Sequence, residues 1–437
     1  MKYYIWTEGC QMNVADSQRV ASALEHLGYH SAPRAEEADV IVLNTCVVRQ
    51  SAEDKAYGRL SSLRPIKKQR PDLVINLMGC LVGNKENPAL KQKLPFVDVF
   101  SAPSDPQPLL RFLAQREGRQ YEKAATQQLN EALDGEFLLP ASQLPGIVSA
   151  QLPIVLGCSH ACTYCVIPLR RGAEISRPPQ IILQEAQAMA AQGVKEITLL
   201  GQIVDRYGKD RPEYPRLEGL LAMLSGIEGL ERIRFLTSHP NWMTEALIEA
   251  VASLPKVMPH IEVPIQAGDD EVLARMRRGY TVEQYIRLIE RIRQVIPGVS
   301  IGTDIIVGFP GETETQFQHT YDLLEQLRLD VVHLARYSPR PGTVSARNFS
   351  DDVPDEEKWR RFRLLEDQQE RIAAEINAAL LNQVTEVLFE EKAKGRWKGR
   401  NPNNKLVFVE SGDDLRGKIL PVRVNWSGPW SMIGELI

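Results

Sequence analysis

Hydrophobic residues in the first hundred positions form short apolar runs separated by longer amphipathic segments. The runs, each bounded by polar residues or glycine, cover residues 3–10, 39–46 and 72–80. The intervening segments, including 16–27 and 52–63, read as helices. Because strands that alternate with helices form parallel sheets, the pattern predicts an α/β domain with a parallel sheet over residues 1–110.

The same alternation continues through the centre of the chain. Six strand-like runs are separated mostly by helical patterns, and they cover residues 153–157, 196–202, 233–238, 260–266, 300–310 and 331–339. Repeated βα units of this length predict a barrel. Six units rather than eight favour a partial, open (β/α)6 barrel, placed here over residues 144–375.

Two other segments have different patterns. Residues 111–143 lack a clear period and predict a linker, with a short helix near 107–117. A long amphipathic helical pattern at 355–381 is followed by short alternating runs with glycine-bearing turns. These runs, at 386–391, 405–410 and 417–424, predict a small all-β barrel over residues 376–437.

Composition adds limits to this picture. The chain has 437 residues, 43% of them hydrophobic and 25% charged, and its net charge of −4 predicts no general attraction to nucleic acid. Any RNA-binding surface must therefore be local. No run approaches the length of a membrane span or a signal peptide, so the sequence predicts a cytoplasmic protein without a membrane segment.

Three of the six cysteines share one loop. Cys158, Cys162 and Cys165 form a C-x3-C-x2-C spacing, which suits iron–sulfur or zinc and leaves one metal position open. His160 would complete a zinc site. Structural zinc usually uses two short knuckles, so the spacing favours iron–sulfur over zinc and over unligated thiols.

The other three cysteines each come at the end of a predicted strand. Cys10, Cys46 and Cys80 close the first three apolar runs. The carboxyl ends of parallel strands meet at one edge of a sheet, so we expect these thiols to lie together and to form a second three-cysteine site. The alternative is three ordinary buried thiols.

The spacing of the loop, with Tyr164 before its last cysteine, resembles the signature of radical S-adenosylmethionine enzymes. The resemblance implies a 4Fe–4S cluster on Cys158, Cys162 and Cys165, whose open iron binds S-adenosylmethionine for cleavage to a 5′-deoxyadenosyl radical. The motifs GCQMN at 9–13 and NTC at 44–46 narrow it to the methylthiotransferase family. That family implies a Rossmann-like N-terminal domain, whose auxiliary 4Fe–4S cluster supplies sulfur.

Polar residues and glycines mark the strand ends of the predicted barrel, where active sites of barrels lie. The resemblance places residues 201–202 at a Gly-Gly-Glu-like motif and 305–312 near the ribose and adenine of the cosubstrate. His239 and Arg340 could be acid–base groups, but structural roles are favoured, because radical chemistry needs no neutral-pKa base. The expected cosubstrate contacts are Tyr164, Gly201, Gln202, Gln266, Asp304, Gly308 and Glu312.

A basic segment lies near the C-terminus. Six Lys and Arg residues between 392 and 405 surround one tryptophan, a pattern that fits RNA as well as a solvated hairpin. The motif GRNPNNKLVFV at 399–409 resembles the TRAM domain of RNA-modifying enzymes, which favours RNA. The expected RNA contacts are Lys394, Arg396, Trp397, Lys398 and Arg400.

The motifs TSHP at 237–240 and YSPRPGT at 337–343 resemble the tRNA-modifying branch of the family, and GCQMN with TSHP favours the members that act on isopentenylated tRNA. The implied reaction is methylthiolation at C2 of N6-isopentenyladenosine beside the anticodon, at position 37. The implied partners of a monomeric enzyme are tRNA, a flavodoxin- or ferredoxin-type electron donor and a sulfur donor. Alternatives are methylthiolation of threonylcarbamoyladenosine or of a ribosomal-protein aspartate, and a non-catalytic iron–sulfur or zinc RNA-binding protein.

Overall fold

A computed structural model describes residues 1–116 and 139–437 of the chain. This part divides into two compact units. The first unit comprises Met1–Pro145, Gln151–His160 and Cys165–Gln192, and the second comprises Gly146–Ala150, Ala161–Tyr164 and Gly193–Ile437. The predicted linker falls mostly on residues 117–138, outside the described residues, and the predicted domain boundaries stay predictions.

The first unit begins with a five-stranded parallel sheet in the order β2-β1-β3-β4-β5. Its elements are β1 (Lys2–Thr7), α1 (Gln11–His26), β2 (His30–Ser31), β3 (Val40–Thr45), α2 (Gln50–Gln69), β4 (Val74–Gly79), α3 (Pro88–Lys93), β5 (Val99–Ser101) and α4 (Gln107–Arg116). The predicted parallel α/β sheet is confirmed.

Alternating side chains of the central strands explain why helices cover both faces of this sheet. Ile41 of β3 belongs to the same apolar cluster as Leu60 of α2, whereas the next residue, Val42, joins the cluster that contains Leu24 of α1. Every residue of β3 and β4 is buried. A strand buried on both faces reads as a continuous apolar run, which is the pattern seen in the sequence.

The rest of the first unit contains the residues that flank the cysteine loop. It has β7 (Val155–Leu156), α5 (Ile167–Arg171), β8 (Ile175–Ser176) and α6 (Pro179–Ala191). The short strands β7 and β8 pair antiparallel. The predicted strand at 153–157 is therefore divided into two. β6 (Ser149–Pro153) starts in the second unit and ends at the first residue of the predicted strand, and β7 follows as a separate strand.

The second unit contains strands that form a partial barrel. Its elements up to residue 378 are β9 (Glu196–Leu200), α7 (Leu217–Ser225), β10 (Arg232–Phe235), α8 (Glu245–Ser253), β11 (His260–Glu262), α9 (Asp270–Met276), α10 (Val282–Val295), β12 (Ser300–Val307), α11 (Glu314–Leu327), β13 (Val331–Arg336), α12 (Val344–Asn348) and α13 (Asp355–Ala378).

These strands form two three-stranded sheets, β6-β9-β10 and β11-β12-β13. The amide of Met258 donates to the Ile233 carbonyl, and the amide of Ser238 donates to that of Glu262, so β10 is also linked to β11. Six strands thus follow one another in chain order. The predicted partial barrel of six strands is confirmed.

A closed barrel of five strands ends the chain, in the order β14-β15-β16-β18-β17. The strands are β14 (Val384–Ala393), β15 (Arg396–Arg400), β16 (Leu406–Val409), β17 (Ile419–Ser427) and β18 (Met432–Leu436). The predicted all-β barrel is confirmed. The sequence did not indicate β15, whose residues are mostly basic, or β18.

Candidate active site

Three cysteines of the first unit lie at the carboxyl edge of its sheet. Cys10 is the N-cap residue of α1, Cys46 follows β3 and Cys80 follows β4. Burial raises the pKa of Cys46, and it raises that of Cys80 to about 11, while Cys10 acts electrostatically on both thiols. Each of the two buried thiols thus lies within electrostatic reach of Cys10, and the expectation that the three thiols form one site stays a prediction.

Two buried asparagines join the GCQMN and NTC motifs at this edge. Asn13 Nδ2 donates to Asn44 Oδ1 at 3.0 Å and to the Thr45 carbonyl at 3.0 Å, and Asn44 Nδ2 donates to the Asn13 carbonyl at 2.8 Å. The Cys10 thiol lies 3.4 Å from Asn13 Oδ1. The asparagines fix the segments that carry Cys10 and Cys46.

A buried arginine, which the sequence did not indicate, completes this edge. Arg171 Nη2 lies 3.3 Å from Asp16 Oδ2 and 3.2 Å from Asn13 Oδ1, and Nη1 donates to Ser104 Oγ. Its positive charge lowers the pKa of Cys80, against the larger effect of burial. Because Arg171 is the last residue of α5, which begins two residues after Cys165, one short helix connects the cysteine loop to the edge that carries the other three thiols.

The start of the cysteine loop is anchored within the first unit. The Cys158 amide donates to the Gly172 carbonyl at 3.0 Å, and the Glu174 amide donates to Ser159 Oγ at 3.0 Å. Gly157 has φ +66°, and a Cβ there would lie 2.1 Å from the Ala173 carbonyl oxygen. Only glycine fits this close approach.

The middle of the loop is anchored within the second unit. The amide of Thr163 donates to the Met276 carbonyl at 3.1 Å and its hydroxyl to the Arg275 carbonyl at 2.9 Å. Arg278 Nη1 lies 3.2 Å from Cys162 Sγ. The Tyr164 ring meets Phe309 edge to face, with centroids 6.5 Å apart.

Within residues 1–116 and 139–437, no three His, Cys, Asp or Glu side chains are arranged so that they could hold a metal ion. Donor chemistry nevertheless fits iron–sulfur at both positions, because thiolates are the usual ligands of such clusters. The assignment of all six cysteines as ligands stays a prediction.

The expected cosubstrate contacts lie at strand ends in the second unit. Gln266, at φ +82°, pairs with β12 through its amide to the Asp304 carbonyl and its carbonyl to the Ile306 amide. Gly201, just after β9, accepts the Thr237 hydroxyl at 2.6 Å and precedes Gln202. Their contact with S-adenosylmethionine stays a prediction.

Glu312 is committed to contacts within the protein. Its carboxylate accepts the Gly308 amide and, at 2.8 Å, Arg361 Nη1 of α13. Burial raises the pKa of Glu312 in spite of the arginine. These bonds fix the turn from 308 to 312, and the contact of Gly308 and Glu312 with S-adenosylmethionine stays a prediction.

His239 is placed as a structural residue, in agreement with the reading that the sequence favoured. Its amide donates to Asp205 Oδ2 at 2.9 Å, its Nδ1 accepts the Asn241 amide, and its ring meets Tyr280 edge to face. The ring lies 1% exposed.

Two family models match the chain. The one described as the Radical SAM superfamily matches residues 152–324, and the one described as Uncharacterized protein family UPF0004 matches residues 2–102. The tRNA-2-methylthio-N(6)-dimethylallyladenosine synthase of Herpetosiphon aurantiacus is 49% identical over 100% of this chain and 97% of its own length. Those of Roseiflexus sp. and Chloroflexus aurantiacus are 48% and 47% identical, over 100% and 99% of this chain and 89% and 91% of theirs.

The chain belongs to the tRNA-2-methylthio-N(6)-dimethylallyladenosine synthase family. The resemblance to methylthiotransferases found in the sequence is thus confirmed. The predicted cofactors, S-adenosylmethionine and two 4Fe–4S clusters, are those that the resemblance assigns to this family.

Solved structures of other radical S-adenosylmethionine proteins share the fold. The methyltransferase TsrM from Kitasatospora setae, with cobalamin and a 4Fe–4S cluster bound, has a TM-score of 0.54 at 14% identity, covering 79% of this chain and 76% of that chain. The cobalamin-dependent enzyme OxsB has a TM-score of 0.51 at 12% identity, covering 84% and 55%. At these identities the likeness shows the fold alone.

The C-terminal barrel corrects one expected RNA contact. Trp397 is 5% exposed, belongs to the apolar core of the barrel and donates its indole N–H to the Asp413 carbonyl at 2.8 Å. Its ring therefore cannot stack on a base. Alternation along β15 is the reason, because side chains at odd and even positions of a strand face opposite sides.

The basic residues beside Trp397 are less buried. Arg396 pairs with Glu410 at 2.9 Å and Lys398 with Glu391 at 2.7 Å, and Lys394 is exposed in a turn with φ +50°. Arg400 Nη1 donates to the Asn404 carbonyl. Their contact with RNA stays a prediction. Over residues 1–116 and 139–437, no helix combines the length and apolar character needed to span a membrane.

Proposed function

We propose that this chain methylthiolates C2 of N6-dimethylallyladenosine at position 37 of tRNA, with S-adenosylmethionine and two 4Fe–4S clusters. One observation carries the proposal: two separate sets of three cysteines occur in a chain that matches the synthases along its whole length. An aromatic C–H bond of this kind is not opened by side-chain acids and bases, so the reaction needs a radical cofactor.

Each cysteine set has its own task. Cys158, Cys162 and Cys165 hold the cluster that, when bound, supplies the electron for reductive cleavage of S-adenosylmethionine. Cys10, Cys46 and Cys80 would hold the auxiliary cluster, which would supply the sulfur to be inserted. Three protein ligands leave room for one further ligand at each site.

The tRNA is the macromolecular substrate, and the exposed Lys394 and the partly exposed Arg396 and Lys398 contact its phosphates. The ion pairs of Arg396 and Lys398 with surface glutamates are worth little, so phosphate can replace the carboxylates. The chain acts as a monomer in the cytoplasm, with a one-electron donor of flavodoxin or ferredoxin type and an external sulfur donor.

The test is an anaerobic assay with reconstituted, reduced protein, S-adenosylmethionine and tRNA that bears isopentenyladenosine. Digested nucleosides are analysed by mass spectrometry, and 5′-deoxyadenosine is measured in the same samples. We expect a new methylthio-isopentenyladenosine. If 5′-deoxyadenosine accumulates without this product, the substrate is wrong, and tRNA with threonylcarbamoyladenosine and the ribosomal protein are tried. If neither product forms in cluster-loaded protein, the enzymatic function is rejected.

Two variants separate the cysteine sets and give the largest effects expected in this molecule. Cys158→Ala should lose 5′-deoxyadenosine and methylthio product together, down to background. Replacing Cys10, Cys46 and Cys80 together by Ala should keep the cleavage and remove only the methylthio product. Continued product in the triple variant would contradict the role of the N-terminal set as the source of sulfur.

A further inference from the structure

Arg278 is a buried cation that contacts a cysteine of the radical S-adenosylmethionine loop. It is 4% exposed, and its Nη1 lies 3.2 Å from Cys162 Sγ. Both residues belong to the second unit. The contact joins the strongest kind of hydrogen-bond donor to a sulfur that the proposed function assigns to the cluster.

Neutral groups hold this guanidinium in place. Arg278 Nη2 donates to the Pro264 carbonyl at 3.0 Å and Nε donates to the Tyr280 hydroxyl at 2.8 Å. The Tyr280 hydroxyl in turn donates to the Ile265 carbonyl at 2.8 Å. All three guanidinium nitrogens therefore form hydrogen bonds, and the bonds from Nε and Nη2 fix the direction in which Nη1 points.

Within residues 1–116 and 139–437, Arg278 forms no ion pair with Asp or Glu. A buried charge is stable only when an opposite charge balances it. Among the hydrogen-bond partners of Arg278, the Cys162 sulfur is the one that can carry negative charge near neutral pH, because the Tyr280 hydroxyl is a phenol. A thiolate that ligates iron provides this charge, and solvent screens such a buried pair weakly.

We infer that Arg278 is a positioning residue that raises the reduction potential of the cluster on the C-x3-C-x2-C loop by donating to Cys162 Sγ. The inference rests on the proposed function, because it requires a cluster there. Reduction adds one electron from an external one-electron donor and makes the cluster more negative, with no bond formed or broken. A cation and an N–H donor at a ligating sulfur stabilise the more negative state.

A purely mechanical role for Arg278 makes a different prediction. If the side chain only ties Cys162 to the Pro264 carbonyl, its loss would reduce cluster content or stability but would not change the potential of the clusters that remain. The reduction potential therefore distinguishes the two roles.

The experiment is a redox titration of the full-length, cluster-loaded protein, followed by electron paramagnetic resonance. The signal of the loop cluster is recognised by its change on addition of S-adenosylmethionine. In Arg278→Gln we expect the reduced-to-oxidised ratio at a fixed ambient potential to fall about tenfold, which is about 59 mV towards lower potential for a one-electron couple. Arg278→Lys keeps the charge but loses the planar donor geometry, so its shift should be intermediate.

Arg277→Gln is the matched control. It removes the same charge at the next residue, which is exposed, so solvent should screen its effect and the potential should not change. An unchanged potential in cluster-loaded Arg278→Gln would overturn the inference. If that variant does not retain its cluster, an unchanged potential in Arg278→Lys would overturn it instead.

These outcomes are separable from failure of the proposed function. Wild-type protein that makes methylthio product but shows no shift in the variants would reject only the role of Arg278. Wild-type protein with no signal that responds to S-adenosylmethionine would reject the proposed function, and the inference would be rejected with it.

Discussion

Each of the two cysteine sets has a buried arginine beside it, but the charge of that arginine is balanced differently. At the N-terminal set, Arg171 pairs with Asp16, and both side chains are almost inaccessible to solvent. At the loop, the partners of Arg278 among residues 1–116 and 139–437 are neutral apart from the Cys162 sulfur. The first arginine is neutralised without any cofactor, whereas the second is balanced only when its sulfur is charged.

Because their charges are balanced differently, we expect the two arginines to have different roles. Arg171 belongs to a network with Asp16, Asn13 and Ser104 that balances its charge within the protein, so its main effect is on the fold of the sheet edge. Arg278 has its charge available for the cluster. The electron enters at the loop according to the proposed function, and it is at the loop that the uncompensated cation lies.

Removing Asp16 tests the first half of this comparison and should have the largest effect on stability. Asp16→Asn leaves Arg171 buried without a counter-ion, which we expect to destabilise the first unit by about 3–5 kcal/mol. Hydrogen exchange of peptides from β3 and β4 measures opening of that unit. Asp16→Asn combined with Arg171→Met should recover much of the loss, because no unpaired charge remains.

Asp39→Asn is the control for this prediction. It breaks the ion pair with Arg70, whose side chains are 42% and 38% exposed, and should cost less than about 1 kcal/mol. If Asp16→Asn costs no more than this control, the Arg171–Asp16 pair does not stabilise the sheet edge.

The sequence marks the six cysteines more clearly than the residues that surround them. The positions of Cys10, Cys46 and Cys80 followed from three apolar runs, because the end of a buried strand fixes where its next residue lies. The segment RMRRGY from 275 to 280 contains three arginines of which only Arg278 is buried, and no periodicity marks it. Arg171 and Asp16 are 155 residues apart in the chain, so their pairing appears only in the folded protein.

Trp397 shows the opposite failure. A tryptophan among basic residues suggested an RNA surface, but the same residues form β15, in which Trp397 and Gly399 face the core while Arg396 and Lys398 face outwards. The run RWKGR carries a strand alternation with too few apolar positions to be recognised. The composition of this run suggests a nucleic-acid surface, but its period of two decides the side and places the ring in the core.

The pKa of Cys80 tests the surroundings of Arg171 through a buried thiol on which the charge of the arginine acts. Arg171 lowers the pKa of Cys80, but burial outweighs it and the pKa is raised to about 11 from an ordinary value near 9. The folded state therefore favours the neutral thiol. Its contribution to stability is complete below pH 9 and is lost as the pH rises to about 11, a loss of about 2–3 kcal/mol.

Urea unfolding of the cluster-free, reduced protein between pH 8 and pH 11.5 measures this loss. Other groups also titrate in this range, so the quantity to compare is the pH dependence of wild type and of Cys80→Ala. We expect the variant to lose about 2–3 kcal/mol less over the range. Equal pH dependence in the two proteins would mean that Cys80 is not the buried thiol that the sheet edge places beside Arg171.

Tyr280→Phe examines the neutral partners of Arg278 and should have the smallest effect. The substitution removes the hydroxyl that accepts Arg278 Nε, while the bonds from Nη1 and Nη2 remain. Loss of this hydrogen bond to a charged group, and of the donation from the hydroxyl to the Ile265 carbonyl, should destabilise the second unit by about 2 kcal/mol, below the cost of Asp16→Asn. Hydrogen exchange of peptides from β11 and α9 measures this destabilisation. A cost equal to that of Asp16→Asn would show that neutral and charged partners hold the two arginines equally strongly.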